Sequence, residues 1–159
     1  MMNFIKTIGA FSLTFILSVA LVGVPKSVSD FLAQDVSNGF ERDTYIQFLF
    51  YKDLSKHEIY TSSEYKKIIN QYTERSENLD DSGLPADFQA AWRDHVAAWR
   101  EQTNFLNQSR THCNMYKHDS SDEEFFRAFT QQDDEITRTW FKVLSVAHSH
   151  GVSIPRNYY

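Results

Sequence analysis

Two near-copies of one heptad constrain this chain more than any other feature. Ala90-Ala91-Trp92-Arg93-Asp94-His95-Val96 runs directly into Ala97-Ala98-Trp99-Arg100-Glu101-Gln102-Thr103. Phe88, Trp92, Val96, Trp99, Thr103 and Leu106 then recur at steps of three and four, which places them on one face of an α-helix. A strand, whose side chains alternate with period two, cannot carry that spacing. The stripe is a bundle seam, and two heptads are too few for a long coiled coil. Leu84-Pro85-Ala86-Asp87 opens the helix: proline fits the first turn because its missing N–H is unused there, and Asp87 complements the positive helix end. The helix is expected to stop near Asn107 or to run on to Tyr116.

Other helices follow from their ends. Thr61-Ser62-Ser63-Glu64 is a capping-box pattern ahead of Tyr65, Ile68, Ile69 and Tyr72, predicting a helix that closes near Asn78. Asp80-Asp81-Ser82-Gly83 is turn chemistry. Ser121-Asp122-Glu123-Glu124 forms a second box before Phe125, Phe126 and Phe129. Its stripe weakens over Gln131 to Glu135 and resumes at Ile136, Trp140, Val143, Leu144 and Ala147. Gly151 suits a left-handed C-cap, with Val152 placed for the accompanying contact and Pro155 beyond. Thr44 to Tyr51 is a short apolar run that fits a buried strand or a core helix. No partner strand is evident, and a lone strand leaves its backbone unpaired, which favours helix. Lys26 to Phe40 is polar, with Ser27, Ser29, Ser37, Asn38 and Gly39, and reads as a linker with one helical turn near Phe31 and Leu32. Five Gly and three Pro in 159 residues disfavour a turn-rich all-β fold. The expected architecture is mainly α: residues 41–155 form an antiparallel three- or four-helix bundle behind a polar linker at 26–40.

Residues 1–25 belong to a different regime. Lys6 precedes 18 residues, Thr7 to Val24, that carry no charge. At 1.5 Å per residue they form a helix of roughly 27 Å, enough to cross the hydrocarbon of a bilayer. Pro25 ends it. Ser18-Val19-Ala20 offers small residues at the spacing of a signal-peptidase site, so a cleaved signal and a retained anchor both fit. Lys6 on one side and Asp30 and Asp35 on the other favour an inside N-terminus and an outside domain. The expected location is extracytoplasmic, periplasmic or extracellular: membrane-anchored, or secreted if Ser18–Ala20 is cut. The membrane is the first expected partner, through this helix, followed by another protein or a second copy.

Net charge narrows the rest. The whole chain carries −5, and beyond residue 25 there are 15 basic against 21 acidic groups, a net of −6. Such a domain repels phosphate backbones, so nucleic acid is not an expected partner. Cys113, the only cysteine, excludes an internal disulfide and multi-cysteine zinc frameworks. It lies in the densest group of metal-ligating side chains: His112, Cys113, Met115 and His118. Imidazole, thiolate and thioether suit copper or zinc, and His148 and His150 would lie nearby if the bundle folds back. Chance accounts for such a cluster more readily, since short loops collect His and Cys and no spacing here matches a defined site. A haem held by His95 and His148 would rest on bundle analogy alone. None of the six histidines follows a glutamate by three residues, which removes the usual di-iron signature. Gly-x-Ser-x-Gly and phosphate-loop patterns are absent, and no residue is singled out as catalytic. Asn107-Gln108-Ser109 is an N-glycosylation sequon, a tripeptide common by chance. The reading with most support is a non-enzymatic exported or membrane-anchored interaction or structural domain. The alternative is a metal- or haem-binding bundle using the His112–His118 segment, with no cofactor expected otherwise.

This reading predicts that the full chain fractionates with membranes or leaves the cytosol, whereas a chain starting at Lys26 is water-soluble and helical by circular dichroism. A full chain recovered from the soluble cytosolic fraction would overturn it.

Overall fold

The computed structural model describes residues 27–50, 59–60, 62–108 and 120–154, and there it is a bundle of four α-helices with no strand. Helix α1 spans Val28–Phe50, α2 Ser63–Glu77, α3 Ala86–Gln108 and α4 Ser120–Ser149. Cross-helix pairs give the directions. Glu41 of α1 pairs with Arg75 of α2, and Glu77 of α2 pairs with Arg100 of α3. Asp87 and Asp94 of α3 meet His150 and Lys142 at the far end of α4. Each successive helix therefore runs against the last, up and down. These surface pairs contribute little energy individually but report register.

The seam on α3 is the predicted one: Phe88, Trp92, Val96, Trp99, Thr103 and Leu106 are all buried. Two apolar clusters fill the interior. One joins Val28, Phe31 and Leu32 of α1 to Phe88, Trp92 and Val96 of α3 and to Val143 and Ala147 of α4. The other joins Leu49, Tyr65, Ile69 and Tyr72 to Trp99, Leu106, Phe129 and Ile136. The ring of Phe31 meets those of Phe88 and Trp92 edge-on at 5.7 and 4.9 Å.

The polar linker expected at 26–40 is corrected: α1 begins at Val28 and runs unbroken to Phe50, so the bundle starts well before residue 41. Its buried face is Val28, Phe31, Leu32, Asp35 and Leu49, with Arg42 and Ile46 partly covered. The steps of that face are helical throughout, but an aspartate and an arginine occupy two of its positions. They broke the apolar pattern without breaking the helix. The helical reading of Thr44 to Phe50 holds.

Caps follow with small offsets. Ser62, not Thr61, caps α2: its hydroxyl accepts from the Tyr65 N–H at 3.1 Å. The helix closes at Asn78, as expected. In the turn to α3, Asp80 accepts from the Ser82 N–H at 3.0 Å. Ser121 is not the cap of α4, because the helix already includes Ser120; the residue before it lies outside the described residues. Gly151 closes α4 with φ 82°, its N–H reaching the His148 carbonyl at 2.9 Å and the Val152 N–H the Ala147 carbonyl at 3.1 Å. This is the Schellman pattern, and Val152 and Ile154 fold back onto the first cluster.

If α1 is integral to the core, Phe31→Ala costs roughly 3–5 kcal/mol in a urea melt, as for other buried large aromatics. A linker residue would cost within about 0.5 kcal/mol, and that outcome would detach α1 from the bundle.

Candidate functional site

Between the two apolar clusters lies a belt of buried polar side chains drawn from all four helices. Asp35 of α1 is 2% exposed. Its carboxylate accepts from the Tyr72 hydroxyl at 3.1 and 3.2 Å and from the Ser76 hydroxyl at 2.9 Å, both on α2. Two helical turns on, Arg42 lays its guanidinium over the rings of Tyr72 and Trp99, 4.3 and 4.6 Å from their centres, while its Nε–H donates to Asp43 at 2.8 Å. Tyr72 and Trp99 are themselves in edge contact at 4.8 Å. A cation held between two aromatic faces in a partly dry site is stabilised by the rings' negative faces.

The belt continues through α3 into α4. The Trp99 Nε1–H donates to His95 Nε2 at 3.1 Å, and His95 Nδ1 lies 3.0 Å from the Thr139 hydroxyl. Because Nε2 is accepting, the ring proton sits on Nδ1 and is donated to Thr139. Thr139 in turn donates to the Glu135 or Ile136 carbonyl, each 2.9 Å away. Thr73 and Thr103 share a buried hydrogen bond of 3.0 Å between α2 and α3. Gln102 is 1% exposed and its Oε1 has no donor among the described residues. That is a cost, since a buried acceptor has given up water.

Burial shifts the two titratable members in opposite directions. Asp35 is pushed up to about 6, mainly by desolvation, which outweighs the hydrogen bonds from Ser76 and Tyr72 and the charge of Arg42. His95 is pushed down to about 4, by desolvation first and by Arg42 second, so it is neutral at physiological pH. A carboxyl near 6 has the proton affinity of a general acid or base. Asp35, however, is enclosed by Tyr72 and Ser76, and both nitrogens of His95 are engaged. The geometry equips these groups to hold helices together.

Of the two histidines named for a haem, His95 has both ring nitrogens engaged, by Trp99 and by Thr139. His148 is exposed at the end of α4 and His150 pairs with Asp87. His112, Cys113, Met115 and His118 lie outside the described residues, as do residues 1–25. Among the described residues there is no metal-ligating group of three and no helix long and apolar enough to cross a membrane. Asn107 of the sequon is exposed and exchanges amide hydrogen bonds with Asn70 at 3.2 and 3.3 Å. Sequence reasoning missed Asp35, Arg42, Tyr72 and Thr139 as a group. The available signal was that Asp35 and Arg42 stand seven residues apart on the stripe of Phe31 and Leu49.

No protein-family model, curated protein or solved structure matches the chain.

Asp35 makes stability depend on pH. Its folded value lies above the ordinary 3.8, so its contribution is fully present below pH 3.8 and is lost as pH rises through about 6. An Asp35→Asn variant has no such term. Measured by urea melts, its stability relative to the parent should increase between pH 4 and pH 7 by on the order of 3 kcal/mol. A difference that stays constant over that range would mean that the carboxyl is not desolvated.

Proposed function

We propose that this chain is a non-enzymatic helical interaction or structural domain, exported or held to a membrane through residues 1–25, that meets a protein partner on the outer face of α1. The observation that carries the reading is a set of exposed aromatic side chains on that helix. Phe40, Tyr45 and Phe48 are 37%, 47% and 54% exposed. Phe40 stands on the side of α1 opposite Phe31 and Leu49, and Phe48, about two turns on, stands on the flank beside Leu49. The Tyr45 ring lies 6.0 Å from that of Phe48. Phe50, 40% exposed, lies further round the helix. Single exposed apolar residues need no explanation, but four exposed aromatics on one stretch of helix, Phe40, Tyr45, Phe48 and Phe50, with two of them in ring contact, have the composition of a contact surface.

The buried polar groups support the same reading from the other side. Each of the belt's titratable residues is engaged within the bundle, which gives them a role in packing. A second proposal, a copper- or zinc-binding bundle using His112, Cys113, Met115 and His118, rests on the chemistry of those side chains alone.

The test compares the full chain with a Phe40→Glu, Tyr45→Glu variant, both recovered from native membranes after mild crosslinking. Neither side chain is in the core, so the melting behaviour should change little, within about 0.5 kcal/mol per site. The variant should lose the proteins crosslinked to the parent. An unchanged set of crosslinked proteins would remove the α1 surface from the proposal.

A further inference from the structure

The three tryptophans of the chain surround one histidine. The centres of the Trp140, Trp92 and Trp99 rings lie 5.2, 5.8 and 6.3 Å from that of His95, which is 3% exposed. Trp99 does two things at once. Its Nε1–H donates to His95 Nε2, and its ring supports the Arg42 guanidinium of α1. The orientation of this indole is therefore set by whether His95 can accept a hydrogen bond. Neutral imidazole accepts at Nε2; imidazolium donates at both nitrogens.

We propose that His95 is an acid-operated latch: a proton taken up at Nε2 removes the acceptor that holds the Trp99 indole, and the released indole frees Arg42 and with it the outer half of α1. Protonation sets two N–H donors against each other at a hydrogen-bonding distance, so the indole has to turn. The new charge also has no anion beside it. From α1 the charge that bears on His95 is Arg42, of like sign, which is balanced by Asp43 and by Asp35. From α2 the nearest titratable group on Trp99 is Tyr72, neutral until well above its ordinary range because it is buried. From α4 the neighbours are Thr139 and Trp140, and Asp133 acts on Arg42. From α3 itself they are Trp92 and Trp99. Acid has by then already neutralised Asp35, whose carboxyl titrates at about 6, so one of the counter-charges of Arg42 is gone before the latch opens. The low proton affinity that burial gives His95 sets the trigger well below neutral pH. Beyond Arg42, α1 meets the bundle through Ile46 and Leu49 and through the Phe50–Tyr60 ring contact, whereas further back it is held by Phe31 against Phe88 and Trp92. This inference is independent of any partner on the outer face of α1.

The experiment uses the full chain in detergent micelles, titrated from about pH 7 to about pH 3, a range that spans imidazole protonation. Indole and imidazole resonances are followed by NMR and amide exchange by mass spectrometry. The Trp99 Nε1–H resonance should move with the same midpoint as the His95 ring. Through that midpoint, amides of residues 43–50 should lose about tenfold or more of their protection after correction for intrinsic rates, while those of 136–147 keep theirs. In His95→Gln the carboxamide oxygen accepts at every pH, and the loss in α1 should move about one pH unit or more lower. If His95 titrates and the Trp99 indole does not respond, the latch does not exist, and that result needs no variant. Loss of α1 protection at the same pH in parent and variant would equally overturn it.

Discussion

A polar group enclosed at mid-height of a helical bundle is tolerated only if its partners are within reach, and that requirement fixes how these four helices stand. Asp35 finds two hydroxyls on α2, and His95 links Trp99 on its own helix to Thr139 on α4. Sliding α1 by one turn, about 5.4 Å, would leave the carboxylate against hydrocarbon. The apolar clusters on either side would accept many registers, since hydrophobic contact has no direction. The belt accepts one. Buried polar pairs are seldom a net source of stability, and their value here is in specifying the arrangement.

How much of this was legible in the sequence depended on whether the inward face was apolar. Along α3 every inward position is apolar or threonine, apart from His95 and Gln102, and the seam read correctly from Phe88 to Leu106. Along α1 the stripe is interrupted by Asp35 and Arg42, and a pattern search that counts only apolar residues sees a polar segment. The same two residues are the core of the candidate site, so the missed helix and the missed site have one cause. The cap of α2 was legible to within one position, because Thr61, Ser62 and Ser63 all offer a hydroxyl and only backbone geometry selects Ser62; the box at Ser121 misplaced the start of α4, which already includes Ser120. Pairings such as Thr73 with Thr103 carry no sequence signature, since they join residues on separate helices whose register the belt decides.

The aromatic side chains divide by position. Phe31, Phe88, Trp92 and Phe129 fill the core; Tyr72 and Trp99 present faces to a guanidinium; Phe40 and Tyr45 stand outward. The middle group gives the aromatic rings an electrostatic task besides area, because an arginine brought into the interior needs a negative surface that is not itself a desolvated charge. That is how α1 carries a cation on its inward face next to an aspartate and remains helical.

The closure of α4 bears on how the molecule is strung. Because Gly151 turns the chain and Val152 and Ile154 return to the first cluster, Val152 and Ser153 stand near Ser27 and Val28, lining one shallow depression with them. The first and last described residues thus share one pole of the bundle, and Leu106 and Phe125 lie toward the other. Tension applied at Ser27 and Ser153 would part α1 from α4 beginning at Val28, instead of sliding the helices along their length. A chain whose ends were joined at this pole and reopened at the Asp80–Gly83 turn would keep every helix and every belt hydrogen bond intact.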